Sequence, residues 1–254
     1  ALSVNGRDNG PLFLAIGLGL TLPLIRRFRD LLARFSPIDP SSPADMSAAS
    51  IFCAVLGLLV AIGLRAPEPD AVEQVDYATL VVQMLGFVGL SYVVAGAGLT
   101  RTFQQANRRL GLERPAARTV LIGVGFFFIA LVVNGTAGVL TELLQPDTSN
   151  EVQDGLRDLT GGLRSPLGAV AIGVSAGIGE ELFFRGALQP KFGLVLTSAC
   201  FALLHTNYGF SFIILGVFGM ALIFGFLRLR FGTAAAMITH GLVNFVAVMA
   251  QIYS

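Results

Sequence analysis

Residues 167–188 read LGAVAIGVSAGIGEELFFRGAL, an apolar run of twenty-two residues whose only charges are Glu180, Glu181 and Arg185. About 20 mostly apolar residues cross the hydrocarbon layer of a bilayer as a helix, so this run is long enough to span. Charged groups at that depth cost about 3 kcal/mol each by insertion scales, and they are usually paired, functional or both. The stretch therefore predicts a membrane helix with chemistry on it.

The rest of the chain agrees. Hydrophobic residues make up 54% of its 254 residues and charged residues 13%, with a mean hydropathy of +0.74; a soluble domain carries about 25% charged residues. The composition predicts an all-α, polytopic integral membrane protein. The same length criterion gives eight transmembrane helices, at 11–25, 46–64, 77–99, 119–140, 167–188, 192–207, 210–227 and 232–252. No signal peptide is read in the first of them.

Charges alternate between these spans. Arg26, Arg27, Arg29 and Arg34 follow the first, and Arg65, Glu68, Asp70, Glu73 and Asp76 follow the second. Arg101, Arg108, Arg109, Arg114 and Arg118 follow the third, and Asp147, Glu151, Asp154 and Asp158 the fourth. Lys and Arg number 13 on one face and 4 on the other (Arg7, Arg65, Arg157 and Arg164). By the positive-inside rule the 13 face the cytoplasm and both termini lie outside it. Net charge is +1, which excludes a basic field for nucleic acid. The basic residues are 16 Arg and one Lys, Lys191, a bias that suggests a GC-rich bacterial genome and so an inner membrane. Cys53 and Cys200 both fall in apolar spans and read as small buried residues.

Residues 145–164 form the longest polar stretch, expected to be an extracytoplasmic loop. It divides N-terminal helices one to four (1–144), expected to be scaffold, from a core of helices five to eight (165–254) that carries nearly all the chemistry. There Glu181 and Arg185, four residues apart, share a helix face as an ion pair, while Glu180 is left as a surplus carboxylate. Phe201 and His205 share a face on the next helix, and His240 and Asn244 on the last. At 1.5 Å per residue Glu180 lies roughly 15 Å deep, His205 roughly 20 Å, His240 roughly 12 Å and Asn244 roughly 18 Å. A base, two imidazoles and a carboxamide at one level could activate a water and hold an oxyanion.

The same residues admit other chemistries. Glu180, His205 and His240 could ligate zinc, although His-Glu-x-x-His is absent and Asn is a poor ligand. Gly173-Val174-Ser175-Ala176-Gly177 matches the serine-hydrolase string, but inside a membrane helix small residues four apart indicate close packing. A midplane polar site could also belong to a carrier, for which repeated halves or paired broken helices would be expected.

The order Glu180-Glu181-x-x-x-Arg185, Phe201-x-x-x-His205, His240-x-x-x-Asn244 on successive membrane helices resembles the CPBP family. This family includes the type II CAAX prenyl endopeptidases and bacteriocin-processing or immunity relatives. The resemblance covers about residues 167–252, and the chain also fits the eight-helix layout of archaeal members. It implies an intramembrane endopeptidase in which Glu180 and His205 activate the water and His240 and Asn244 stabilise the oxyanion. Glu181, Arg185 and Phe201 would support them, with no cofactor. The expected partners are the bilayer and a peptide or lipidated protein substrate, with the cavity facing the cytoplasm. A non-catalytic immunity or assembly subunit would keep the same scaffold.

Overall fold

The computed structural model describes residues 3–4, 7–8, 10–63, 74–112, 116–205 and 211–253. Arg65, Glu68, Asp70, Glu73 and Arg114, and the expected span limits at Leu64, Asn207 and Phe210, lie outside the described residues. A two-residue hairpin pairs β1 (Ser3–Val4) with β2 (Arg7–Asp8). Apart from an isolated bridge between Ala97 and Arg101, all other regular structure among the described residues is helical.

Among the described residues, six helices are long and apolar enough to cross a membrane, or seven if a bent pair near the N-terminus is one span, rather than eight. That pair begins with α1 (Gly10–Thr21), which runs into a 3₁₀ turn at Leu22–Leu24. Pro23 ends the regular winding, and α2 (Arg26–Phe35) departs at 84°. On α2, Phe28, Leu31, Leu32 and Phe35 share one face and the arginines the other, the pattern of a helix lying in the membrane surface.

Four more helices complete the N-terminal half. α3 (Pro43–Gly63) lies antiparallel to α1, with Gly57 against the Ala15 backbone and Gly19 against Cys53 and Ala54. α4 (Tyr77–Ala95) starts on an Asp76 side-chain cap to Thr79 and ends on Gly96, whose φ of 77° only glycine adopts readily. α5 (Phe103–Leu110) carries a Thr102–Gln105 capping box. α6 (Ala117–Leu144) is the longest span, and α7 (Pro146–Leu159) replaces the expected polar loop. Its polar composition hides it from a hydropathy criterion.

The fifth expected span is a continuous rod, 166–192, that is not a plain α-helix. α8 (Pro166–Ser175) passes into π-helical winding at Ala176–Glu180 and Leu182–Leu188, then α9 (Gln189–Phe192). The sixth expected span is the other shortfall: α10 (Leu194–Leu203) has only 10 residues. α11 (Phe212–Phe231) and α12 (Thr233–Tyr253) are full-length.

Contacts sort the helix ends into two levels. Lys191 meets Asp45 at the start of α3, Arg109 donates to Gly186, and Thr233 donates to Leu110. At the opposite end Val75 donates to Leu159, Thr160 meets Gln251, and Phe212 donates to Gln145. The basic residues collect at the first level and the acids of α7 at the second. Phe52 of α3 stacks on Phe192, with ring centroids 3.8 Å apart, tying the N-terminal half to the π-wound rod.

Candidate active site

π-Winding closes i→i+5 bonds, so it is wider than an α-helix, and it is frequent at functional sites. Here it sends the two adjacent glutamates to different places. Glu180 is half-buried and faces a cavity of about 540 Å³. Glu181 is fully buried and faces α12.

The cavity also takes in His205, at the end of α10, and Gln83 of α4; nearly all the rest of its wall is apolar. His205 Nδ1 lies 2.8 Å from the Phe201 carbonyl oxygen. A carbonyl only accepts, so Nδ1 carries the proton and Nε2 is the basic nitrogen. The expected Phe201–His205 pairing is thus present, through the backbone as well as through the ring, 4.6 Å from the imidazole. Most of the remaining wall comes from Ile16 and Leu20 of α1, Ile51, Ala54, Val55 and Leu58 of α3, and Phe87 and Leu90 of α4. The region expected to be scaffold therefore builds much of the site. One signal in sequence pointed there: Gln83 is a lone amide within an apolar span.

His240 and Asn244 do not line this cavity. His240 Nδ1 donates to Glu181 Oε1 at 2.8 Å, and Asn244 Nδ2 lies 3.2 Å from Nε2, which accepts. The His240 ring stacks on Phe224 at 4.8 Å and meets Phe201 edge-on at 5.9 Å. Phe201 thus contacts both imidazoles, with His205 on the cavity and His240 buried behind it.

Arg185 completes the buried layer. Its Nε is 3.4 Å from Glu181 Oε2, close enough for an ion pair but not aligned for a hydrogen bond, and among the described residues Glu181 Oε2 and Arg185 Nε and Nη1 have no hydrogen-bond partner. π-Winding explains the misalignment, since residue i+4 falls short of a full turn rather than just past one. The guanidinium donates from Nη2 to the Ala221 carbonyl and lies 4.4 Å over the Phe201 ring, with Phe184 and Phe224 at 5.8 and 5.7 Å. A desolvated cation–π contact contributes about 2 kcal/mol, so the rings supply much of what the carboxylate geometry does not.

Among the described residues no three His, Cys, Asp or Glu side chains are grouped to hold a metal ion. His240, one of the three candidate zinc ligands, is turned onto Glu181. Ser175 is buried and donates to the Leu80 carbonyl at 2.9 Å, while Gly173 and Gly177 sit against the Gly241 backbone of α12. The serine-hydrolase string is a helix-packing seam.

Fold and site together define a polytopic membrane protein with a carboxylate and an imidazole on one mid-helix cavity. Residues 162–246 match the family described as Type II CAAX prenyl endopeptidase Rce1-like, a protease family, which supports membership of the CPBP family. No curated protein and no solved structure matches the chain.

Proposed function

We propose that the chain is an intramembrane endopeptidase that cleaves a membrane-associated or lipidated protein through a water activated by Glu180 and His205. The observation that carries this is their shared place on one apolar cavity of about 540 Å³, large enough for a peptide segment or an acyl-type chain. Glu180 takes a proton from the water as its oxygen attacks the scissile carbonyl carbon. The proton then passes to the amide nitrogen as the C–N bond breaks. His205, with its tautomer set by the Phe201 carbonyl, orients the same water through Nε2.

Asn244 is assigned to the oxyanion through its Nδ2 amide, and His240, whose Nδ1 proton is held by Glu181 and whose Nε2 accepts from Asn244, positions that amide. That role requires the Phe201 ring, which lines the cavity and meets His240 edge-on, to swing aside when substrate enters. The mechanism uses no metal, the membrane is a bacterial inner membrane, and the cavity opens toward the cytoplasm.

The test compares the termini of membrane proteins in cells carrying wild type or Glu180→Gln, together with cleavage by the purified protein. A general base contributes about 10²- to 10⁴-fold, so Glu180→Gln and His205→Ala should lose most cleavage while keeping the wild-type melting temperature. Thorough chelation should leave activity standing. Near-full activity of Glu180→Gln would overturn the mechanism, and loss on chelation with rescue by stoichiometric zinc would replace it.

A further inference from the structure

A second cavity, of about 640 Å³, opens between α5, the first turn of α6 and the turn that joins α11 to α12. It shares no lining residue with the Glu180 cavity. Arg108, Arg118, Arg228 and Arg230 line it. None of the four forms an ion pair among the described residues.

Arg228 shows that the arrangement is built. Its Nη2 donates to the Arg109 carbonyl at 3.1 Å, and its guanidinium lies across Gly111, where a Cβ would stand 2.7 Å from Cζ. Its buried Nε has no hydrogen-bond partner among the described residues. The first turns of two long helices open on the same space: α6 through Ala116, which provides no side-chain cap, and α12 through Gly232, with the Thr233 amide itself taken by the Gly111 carbonyl. Helix N-termini with unsatisfied amides favour anions. Burial first, and then the like charges of Arg101 and Arg228, push Arg109 below its ordinary guanidinium value, with Asp45 opposing. Cations are gathered here faster than acids compensate them.

The place narrows the chemistry. The cavity sits where α6, α11 and α12 leave the apolar layer, and Ile122 and Phe231 give it an apolar wall beside the arginines. We propose that it is a phosphate site, occupied by the headgroup of an anionic phospholipid with its glycerol end against Ile122 and Phe231. Free phosphate is the other source of the same chemistry.

The full chain in phosphatidylcholine nanodiscs, titrated with phosphatidylglycerol and read by native mass spectrometry and melting temperature, tests this. Wild type should retain one phosphatidylglycerol saturably. Each arginine near an anionic headgroup contributes about five-fold in affinity, so Arg108→Gln/Arg118→Gln/Arg230→Gln should weaken retention roughly a hundred-fold. These three are exposed and Arg228 stays, so the fold is preserved. Arg26→Gln/Arg27→Gln/Arg29→Gln removes equal charge from α2 and should keep the retained lipid. A parallel arm adds orthophosphate in detergent: stabilisation by orthophosphate alone, lost in the cavity variant, supports the phosphate site with solution as its source. Equal loss in both triple variants, full retention in the cavity variant, or no response to either ligand would overturn the proposal.

Discussion

Arg185 is enclosed by three phenylalanine rings and one carbonyl, with a carboxylate that it does not fully meet. Removing one partner of a buried pair strands a charge, at about 3–5 kcal/mol, whereas replacing both by apolar or neutral groups is often nearly neutral. Arg185→Ala should therefore lower the melting temperature markedly, and Glu181→Gln/Arg185→Met should recover most of it, as thermal unfolding in detergent will show. Arg185→Lys should recover less than the double variant, since an ammonium cannot reproduce both the bond to Ala221 and the planar stack on Phe201. An unchanged melting temperature with lost cleavage in Arg185→Ala would instead move Arg185 into the reaction. Asn244 offers a sharper division. Half-buried, it can lose its amide without opening the core, and an oxyanion donor contributes about 10²- to 10³-fold in kcat. Asn244→Ala should lose activity on that scale at nearly constant stability. A drop in stability with cleavage retained would make it a brace for His240 only.

Elements explain why some of this was legible in the sequence and some was not. Long apolar runs announce six of the helices, because hydrocarbon thickness fixes their length. α2, α5 and α7 escape the same criterion: each is short and half polar, and only its contact with a surface makes it a helix. The Glu180, His205, His240 and Asn244 positions were legible because such groups are costly at membrane depth. Their division into a cavity pair and a buried pair was not, since α-helical spacing puts Glu180 and Glu181 only about 100° apart and nothing local in 176–188 announces π-winding. The seam between α8 and α12 was legible from small residues alone. A Cβ at Gly173 would stand 2.6 Å from the Gly241 carbonyl oxygen, and overpacking costs about 1–3 kcal/mol. Gly173→Val should thus destabilise the protein and reduce cleavage by shifting the rod that carries Glu180. Ser175→Ala forfeits only the bond to Leu80, about 0.6 kcal/mol for a typical interhelical bond in a membrane, and should keep full activity. Abolished cleavage in a stable Ser175→Ala protein would revive the serine chemistry.

At the scale of the whole molecule, the helix ends fall at two levels with unlike charge, and the sense of the proposed reaction depends on which level faces the cytoplasm. The level holding Arg101, Arg108, Arg109, Lys191 and Arg228 is the cytoplasmic one by the positive-inside rule, and the level holding Asp147, Glu151, Asp154 and Asp158 is the outer one. Gln104 and Asp154 are exposed on these two levels, whereas Cys53 and Cys200 are buried. A cysteine introduced as Gln104→Cys should therefore react with an impermeant thiol reagent only in inverted vesicles, and Asp154→Cys only in intact cells. Chain crossing is the part of this test that length alone does not decide. α10 has 10 residues, yet Lys191, before it, is bonded to Asp45 at the basic level, and Phe212, after it, to Gln145 at the acidic level. The pair Pro190→Cys, at an exposed position beside Lys191, and Asp154→Cys brackets the rod. Labelling of Pro190→Cys from the cytoplasmic side and of Asp154→Cys from the outside fits a rod that crosses from the acidic level to the basic one. Reversed labelling of all the sites would leave Glu180 and His205 on their common cavity, because inversion carries every helix with it, but it would move the substrate to the outer face and refute the cytoplasmic opening.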